Sequence, residues 1–168
     1  TEIAEKLNNI DADVVLLQEV DFLSKRSGYI NQIQFLLDNT NLNYGCYGAM
    51  LKADFALKDG HGMVDGGNAI LSKYKLEEAK RIPLALRTDQ SDIVQYGYLR
   101  RNILKTKIPE LKQGNQDFYV VNIHATAFAT DDTKQKHIDK YIETLNEIEN
   151  EGSIFVSGGD LNSVPPGA

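Results

Sequence analysis

The sequence predicts a mixed α/β domain built in layers, and three observations carry that prediction. The chain opens helix–strand–helix, runs through several hairpin-like strands, and closes strand–helix–strand. Its short β-branched runs, Val14-Val15-Leu16-Leu17 and Ile154-Phe155-Val156, read as strands buried on both faces, as in a sheet covered by helices. Its clearest helical stretch, 131–149, carries one apolar stripe, so one side packs and the other meets water. Strands grouped in the middle of the chain argue against a doubly wound parallel sheet. With 168 residues, 42% hydrophobic and 25% charged, the chain matches one globular domain in size and composition. A core of that size needs no disulfide, and the single cysteine, Cys46, excludes an intrachain one.

In chain order, Ile3, Leu7 and Ile10 recur at helical spacing through 2–10, and Asp11 and Asp13 end the pattern. The strand Val14–Leu17 follows. Ile30, Ile33, Phe35, Leu36 and Leu37 suggest a second helix, closed by Asp38-Asn39-Thr40-Asn41, and 44–51 reads as a strand. Turn chemistry through 54–67 predicts a loop. Strands are expected at 68–72 and 74–83, then a polar connection over 87–95 and a strand over 98–108. Lys112-Gln113-Gly114-Asn115 turns the chain into the strongly strand-forming 117–124. In the 131–149 helix, Ile138, Tyr141, Ile142, Leu145 and Ile148 form the stripe. Thr130 or Asp131 caps its start, Asp131 and Asp132 complement its dipole, and His137 is expected to face solvent.

The charge is acidic and evenly spread. The net charge is −6, and each half of the chain carries nine basic and twelve acidic side chains. That disfavours broad nucleic-acid binding, which needs a basic face. The local run Arg100, Arg101, Lys105, Lys107 and Lys112 leaves room for a small phosphate-bearing pocket. No apolar run reaches the roughly 20 residues of a membrane span, and the first residues show no signal-peptide pattern.

Three strands end in residues that chemistry can use. The first ends in Gln18-Glu19. The second ends Asn122-Ile123-His124, with Asn122 and His124 on one side of the strand. The third runs Ser157-Gly158-Gly159-Asp160-Leu161-Asn162, where glycines let the chain turn as Asp160 and Asn162 emerge. Strand ends are where α/β sheets form ligand sites. Each group has an ordinary structural explanation, since Asp and Asn in a turn satisfy nearby backbone unaided. Together they suit metal-assisted hydrolysis: carboxylates for a hard cation, and imidazole and amide for phosphoryl oxygen and water.

Four segments, in this order, resemble motifs of the endonuclease/exonuclease/phosphatase superfamily. They are Asp11-Ala12-Asp13-Val14-Val15-Leu16-Leu17-Gln18-Glu19-Val20, Gly67-Asn68-Ala69-Ile70-Leu71-Ser72-Lys73-Tyr74, Asn122-Ile123-His124 and Gly159-Asp160-Leu161-Asn162. The resemblance implies a four-layer α/β sandwich, two mixed sheets face to face with helices outside, truncated here at both ends. It implies that Glu19 ligates Mg²⁺ or Mn²⁺, that Asp160 activates water, and that Asn162 holds a phosphate oxygen. His124 would contact the scissile phosphate and stabilise its developing charge. Alternation lets one of Arg100 and Arg101 face the site, with Arg101 favoured as the catalytic one. Arg100, Asn68 and His61 are expected to bind substrate, His61 from a glycine-rich loop.

The expected activity is hydrolysis of a phosphoester by an activated water, on nucleic acid, phospholipid or inositol phosphate. Two alternatives stand beside it: a non-catalytic binding module that keeps the fold, and a protein that binds a divalent ion without hydrolysis. The family's early Asn strand and late Ser-Asp-His-type element are expected outside residues 1–168, and Asn-Ile-His-Ala-Thr stands where Asn-Thr-His-Leu is usual. A chain ending at Ala168 is therefore expected to be poorly active or inactive.

Overall fold

In the computed structural model, which describes residues 2–56, 62–164 and 167, two sheets pack face to face between helices. The elements, in chain order, are α1 (Glu2–Ile10), β1 (Val14–Asp21), α2 (Gln32–Asn39), β2 (Tyr44–Ala56), β3 (Gly62–Ser72), β4 (Glu77–Pro83), α3 (Asp92–Tyr96), β5 (Asn102–Lys107), β6 (Phe118–His124), α4 (Thr133–Asn150) and β7 (Ile154–Asp160). One sheet has the order β1-β3-β2, all antiparallel. The other has the order β4-β5-β6-β7, with β6 and β7 parallel.

Alternation along each strand builds the layers. Leu16, Ile70, Leu104 and Val120 meet in the core between the sheets. Their neighbours Val15, Leu17, Ala69 and Leu71 face the other way, against Ala4 of α1 and Ile33 and Leu36 of α2. Ile103, Val121 and Ile123 face away from the sheet interface too, against Ile148, Tyr141 and Leu145 of α4. A strand with period two can serve two cores only where both faces are apolar, as they are over Val14–Leu17 of β1, Ala69–Leu71 of β3 and Tyr119–Val121 of β6. The four-layer sandwich expected from the sequence is the fold.

Several local expectations need correction. The described residues of 54–67 are strand: β2 continues to Ala56, β3 starts at Gly62, and the two pair there, while the part of the expected loop over 57–61 lies outside the described residues. Asp65-Gly66-Gly67 reads as turn chemistry because it is polar and small, yet smallness is what a central strand needs here. A Cβ on Gly67 would lie 2.2 Å from the carbonyl oxygen of Gly48 on β2. Asp65 is buried in β3 because the Tyr47 hydroxyl donates to it at 2.8 Å and Lys52 lies 3.5 Å away. The 87–95 connection contains the short α3, and β5 begins at Asn102, not 98. On α4 the buried line is Thr133, His137, Thr144 and Ile148, with Ile142 50% exposed. Ile142 follows Tyr141 by a rotation of about 100°, which swings it off the packed face. Among the described residues no helix is long and apolar enough to cross a membrane.

Candidate active site

Glu19 owes its position to a β-bulge. Leu17 pairs with Ala69 and Val20 with Gly67, so Gln18 and Glu19 together oppose Asn68. The extra residue shifts the strand's phase and puts Val20 on the helix-side core with Val15 and Leu17. Glu19 takes a φ of 57°, a left-handed conformation that costs a non-glycine residue about 1–2 kcal/mol. Bulges of this kind re-aim side chains and gather at active sites. The Glu19 carboxylate stands at the end of the inter-sheet space, with its side chain 59% exposed.

His124 and Asp160 reach the same place from the other sheet. They are Cα partners on the last rung of the parallel β6–β7 pair. His124 Nε2 lies 3.9 Å from Glu19 Oε1 and 3.6 Å from Asp160 Oδ2. Gly159 makes this rung possible: its φ is +138° and a Cβ there would sit 2.0 Å from the Ile123 carbonyl oxygen. The chain then turns at Asn162, whose backbone N–H donates to Asp160 Oδ1 at 2.8 Å and whose Nδ2 donates to Ala125 O at 3.0 Å.

Below the three acid–base groups, buried amides lock the sheets together. Asn122 Nδ2 donates to both Leu17 O and Ala69 O at 2.9 Å, and Gln18 Nε2 donates to Asn122 Oδ1 at 2.8 Å. Asn102 Nδ2 donates to Gly48 O and Ala49 O at 3.2 Å. A buried amide is tolerated only when hydrogen-bonded, so these bonds fix the spacing between the sheets as well as satisfying the groups. Glu19 and His124 are held across that spacing.

The electrostatics separate the groups. His124 is 1% exposed, and its pKa is lowered to about 4 by burial and by the charges of Arg101 and Lys134, with Asp160 opposing. It is therefore neutral near pH 7. Among the described residues its Nδ1 has no hydrogen-bond partner, and neither have Nε and Nη1 of Arg101. Arg101 is 6% exposed; burial lowers its pKa, and the charges of Glu19 and Asp160 work against that shift. A buried guanidinium with idle donors beside a neutral imidazole is suited to an anionic oxygen.

The remaining predicted residues divide. Arg100 lines a cleft of about 1210 Å³ that starts at Glu19 and runs along Lys52, Phe55 and Val94. Asn68 is fully buried between the sheets, with Nδ2 donating to Asn102 O at 3.1 Å, so it does not reach a surface that substrate could touch. The periodicity that puts Asn68 opposite the bulge also turns it inward. His61 lies outside the described residues. His137 is 1% exposed, against the expectation that it faces solvent. Lys134, which the sequence reading passed over, donates to Leu161 O and Asn162 O at 2.6 and 2.9 Å. Both lie on α4, and the repeat through Thr133, His137, Thr144 and Ile148 was the signal that could have found His137.

For a metal ion, the donor chemistry is that of a hard cation. Glu19 and Asp160 offer carboxylate oxygens at the wet side of the cluster. Among the described residues no group of three His, Cys, Asp or Glu side chains is arranged to hold a metal. One or two carboxylates completed by water suit Mg²⁺-like ions, which keep much of their hydration, and do not suit a closed protein cage. The residues fit the group on those terms.

The sequence profile of the Endonuclease/Exonuclease/phosphatase family matches residues 1–168. No curated protein matches by sequence. Among solved structures, ANGEL2, a 2',3'-cyclic phosphatase, superposes with a TM-score of 0.67 at 21% identity, over 98% of this chain and 43% of its own. An endonuclease/exonuclease/phosphatase from Beutenbergia cavernae gives 0.67 at 20%, over 98% and 43%. The human Nocturnin catalytic domain with bound sulfate anion gives 0.67 at 20%, over 98% and 56%. Identities this low speak to the fold. The chain spans about half the length of these structures.

Proposed function

The chain belongs to the endonuclease/exonuclease/phosphatase family, and from that premise we propose that its protein hydrolyses a phosphoester with the help of a divalent cation. Glu19 would hold the ion, Mg²⁺ or Mn²⁺. When bound, such a cation supplies positive charge to the phosphoryl oxygens and orients the reacting groups. Asp160 accepts a proton from the water that attacks phosphorus, and Asn162, fixed by its bond to Ala125 O, orients that water or a phosphate oxygen. His124, neutral near pH 7, donates a hydrogen bond to a non-bridging oxygen. Arg101 offers its idle N–H groups to the charge that grows there, and the dry surroundings of both residues strengthen the effect. The new P–O bond forms to water as the bond to the leaving oxygen breaks, and that oxygen takes up a proton. Arg100 and the cleft running from Glu19 receive the rest of the substrate.

The observation that carries this reading is the meeting of Glu19, His124 and Asp160, from two sheets, within 3.9 Å of the imidazole Nε2, beside Arg101, whose Nε and Nη1 have no partner among the described residues. The test is turnover of a simple phosphodiester, bis(p-nitrophenyl) phosphate, by the full-length protein with Mg²⁺ and with EDTA. Hydrolysis that needs Mg²⁺ and stops with EDTA supports the proposal. No turnover in either condition by a folded full-length protein would favour a binding module on the same fold.

A further inference from the structure

Two side chains of α4 close a ring of hydrogen bonds around the His124–Asp160 rung. His137 uses both ring nitrogens: Thr126 N–H donates to Nδ1 at 3.1 Å, and Nε2 lies 2.8 Å from Ala85 O. A backbone N–H can only donate and a carbonyl can only accept, so the ring proton sits on Nε2 and the imidazole is neutral. One turn earlier, Lys134 Nζ donates to Leu161 O and Asn162 O. Between these two anchors Ala125 N–H donates to Asp160 O at 2.9 Å, and Asn162 Nδ2 donates to Ala125 O at 3.0 Å. The path runs from α4 through Thr126 and Ala125 to the Asp160–Asn162 turn, and back to α4.

We propose that Lys134 and His137 are positioning residues that set the gap between His124 and Asp160. The pair forms the last rung of its ladder, and β7 is an edge strand of the described sheet. Strand ends without further rungs open most easily. The 3.6 Å between His124 Nε2 and Asp160 Oδ2 is longer than a good hydrogen bond, so the two side chains do not hold each other. The brace must come from outside, and α4 supplies it to both strand exits at once. This rests on the hydrolytic reading of His124 and Asp160, since a displacement of about 1 Å in a reacting group costs on the order of 100-fold in rate.

The experiment compares His137→Leu and Lys134→Met with His137→Gln and Lys134→Arg in the full-length protein. Glutamine can still accept from Thr126 and donate to Ala85, and arginine can still reach two carbonyls. Turnover of bis(p-nitrophenyl) phosphate is read as kcat and KM, and the assigned ring signals of His124 are read by NMR. The expected result is a fall in kcat of about 10- to 100-fold for His137→Leu and Lys134→Met, with KM changed by less than about twofold. The His124 signals move in both, and His137→Gln and Lys134→Arg restore rate and signals. Folded His137→Leu and Lys134→Met proteins with wild-type kcat and unmoved His124 signals would overturn the proposal. If the wild-type protein turns over no diester, the hydrolytic reading fails, and the His124 signals still decide whether α4 braces the pair. If His137→Leu does not fold, Lys134→Met, changed at a side chain that reaches exposed carbonyls, decides the matter.

Discussion

Glu19 and the His124–Asp160 rung face one another across the junction of two sheets, and they are held in opposite ways. Glu19 sits on a strained bulge with its side chain 59% exposed. His124 is 1% exposed, and the segment after it is pinned to β7 and α4. Glu19 and the Asp160 carboxylate, 48% exposed, meet water, whereas His124 is dry. A hydrated cation must reach its ligand through water, whereas donors aimed at a developing charge work best where water is excluded and nothing has to reorganise. The bulge offers the first condition and the burial of His124 the second. On the proposed reading, Glu19 is the open docking point for the cation and His124 the dry partner of the developing charge.

The largest effect that tests this division is on rate. Asp160→Asn and His124→Asn should each lower kcat by about 10²- to 10⁴-fold, with no recovery as Mg²⁺ is raised. Glu19→Gln should also lose activity, but part of the loss should return at high Mg²⁺, because a weakened ligand site refills by mass action. Identical metal responses in the three variants would erase the distinction between the two sides.

Backbone geometry gives the next largest effect. Gly159→Ala places a methyl group 2.0 Å from the Ile123 carbonyl oxygen at a φ of +138°, and should cost roughly 2–4 kcal/mol in urea denaturation. Gly114→Ala, also at positive φ but with open space around it, should cost about 1 kcal/mol. Equal losses would mean that the close approach of β7 to β6 is not what constrains Gly159.

Acid should act on the dry histidine. The His124 pKa is lowered from 6.5 to about 4, first by burial. The unfolded chain therefore takes up that proton at a higher pH than the native protein does. The contribution to stability is whole above pH 6.5 and is lost as pH falls towards 4. In metal-free protein the loss should be roughly 2–3 kcal/mol, followed as Tm against pH, and His124→Asn should flatten that slope. A His124→Asn profile parallel to wild type would contradict the burial argument.

The smallest effect belongs to the bulge. Glu19→Gly relieves a left-handed residue and should leave stability unchanged or raise it by about 0.5–1 kcal/mol, while raising the Mg²⁺ concentration needed for turnover. A clear loss of stability would show that Glu19 is held by contacts and not merely tolerated.

The layered fold was legible because Val14–Leu17 of β1 is apolar on both faces, a pattern that needs a cover on each side; Ile154–Val156 of β7 read the same way, though Val156 is 46% exposed. Glu19, His124 and Asp160 were legible as strand ends, since a period of two tells which side a residue faces. The bulge was not: Gln18-Glu19-Val20 has no glycine to mark it, and the phase change shows only in the pairing with Asn68. Asn68 was misjudged for the same reason, because a polar residue beside a motif reads as functional until packing shows that it bonds Asn102. His137 was lost among charged neighbours; its partners, Thr126 N and Ala85 O, are backbone groups, which leave no mark in sequence. The central strand through Asp65-Gly66-Gly67 was hidden by turn-like composition that close strand approach requires.

Mn²⁺ broadening of backbone amide signals in the full-length protein tests most directly whether one cation site joins the two sheets. Low Mn²⁺ should broaden first the amides flanking Glu19 and those of residues 124–125 and 160–162 together, and Glu19→Gln should suppress both groups at once. Broadening confined to one of the two sheets, or centred on acids elsewhere such as Asp11 and Asp13, would contradict the account.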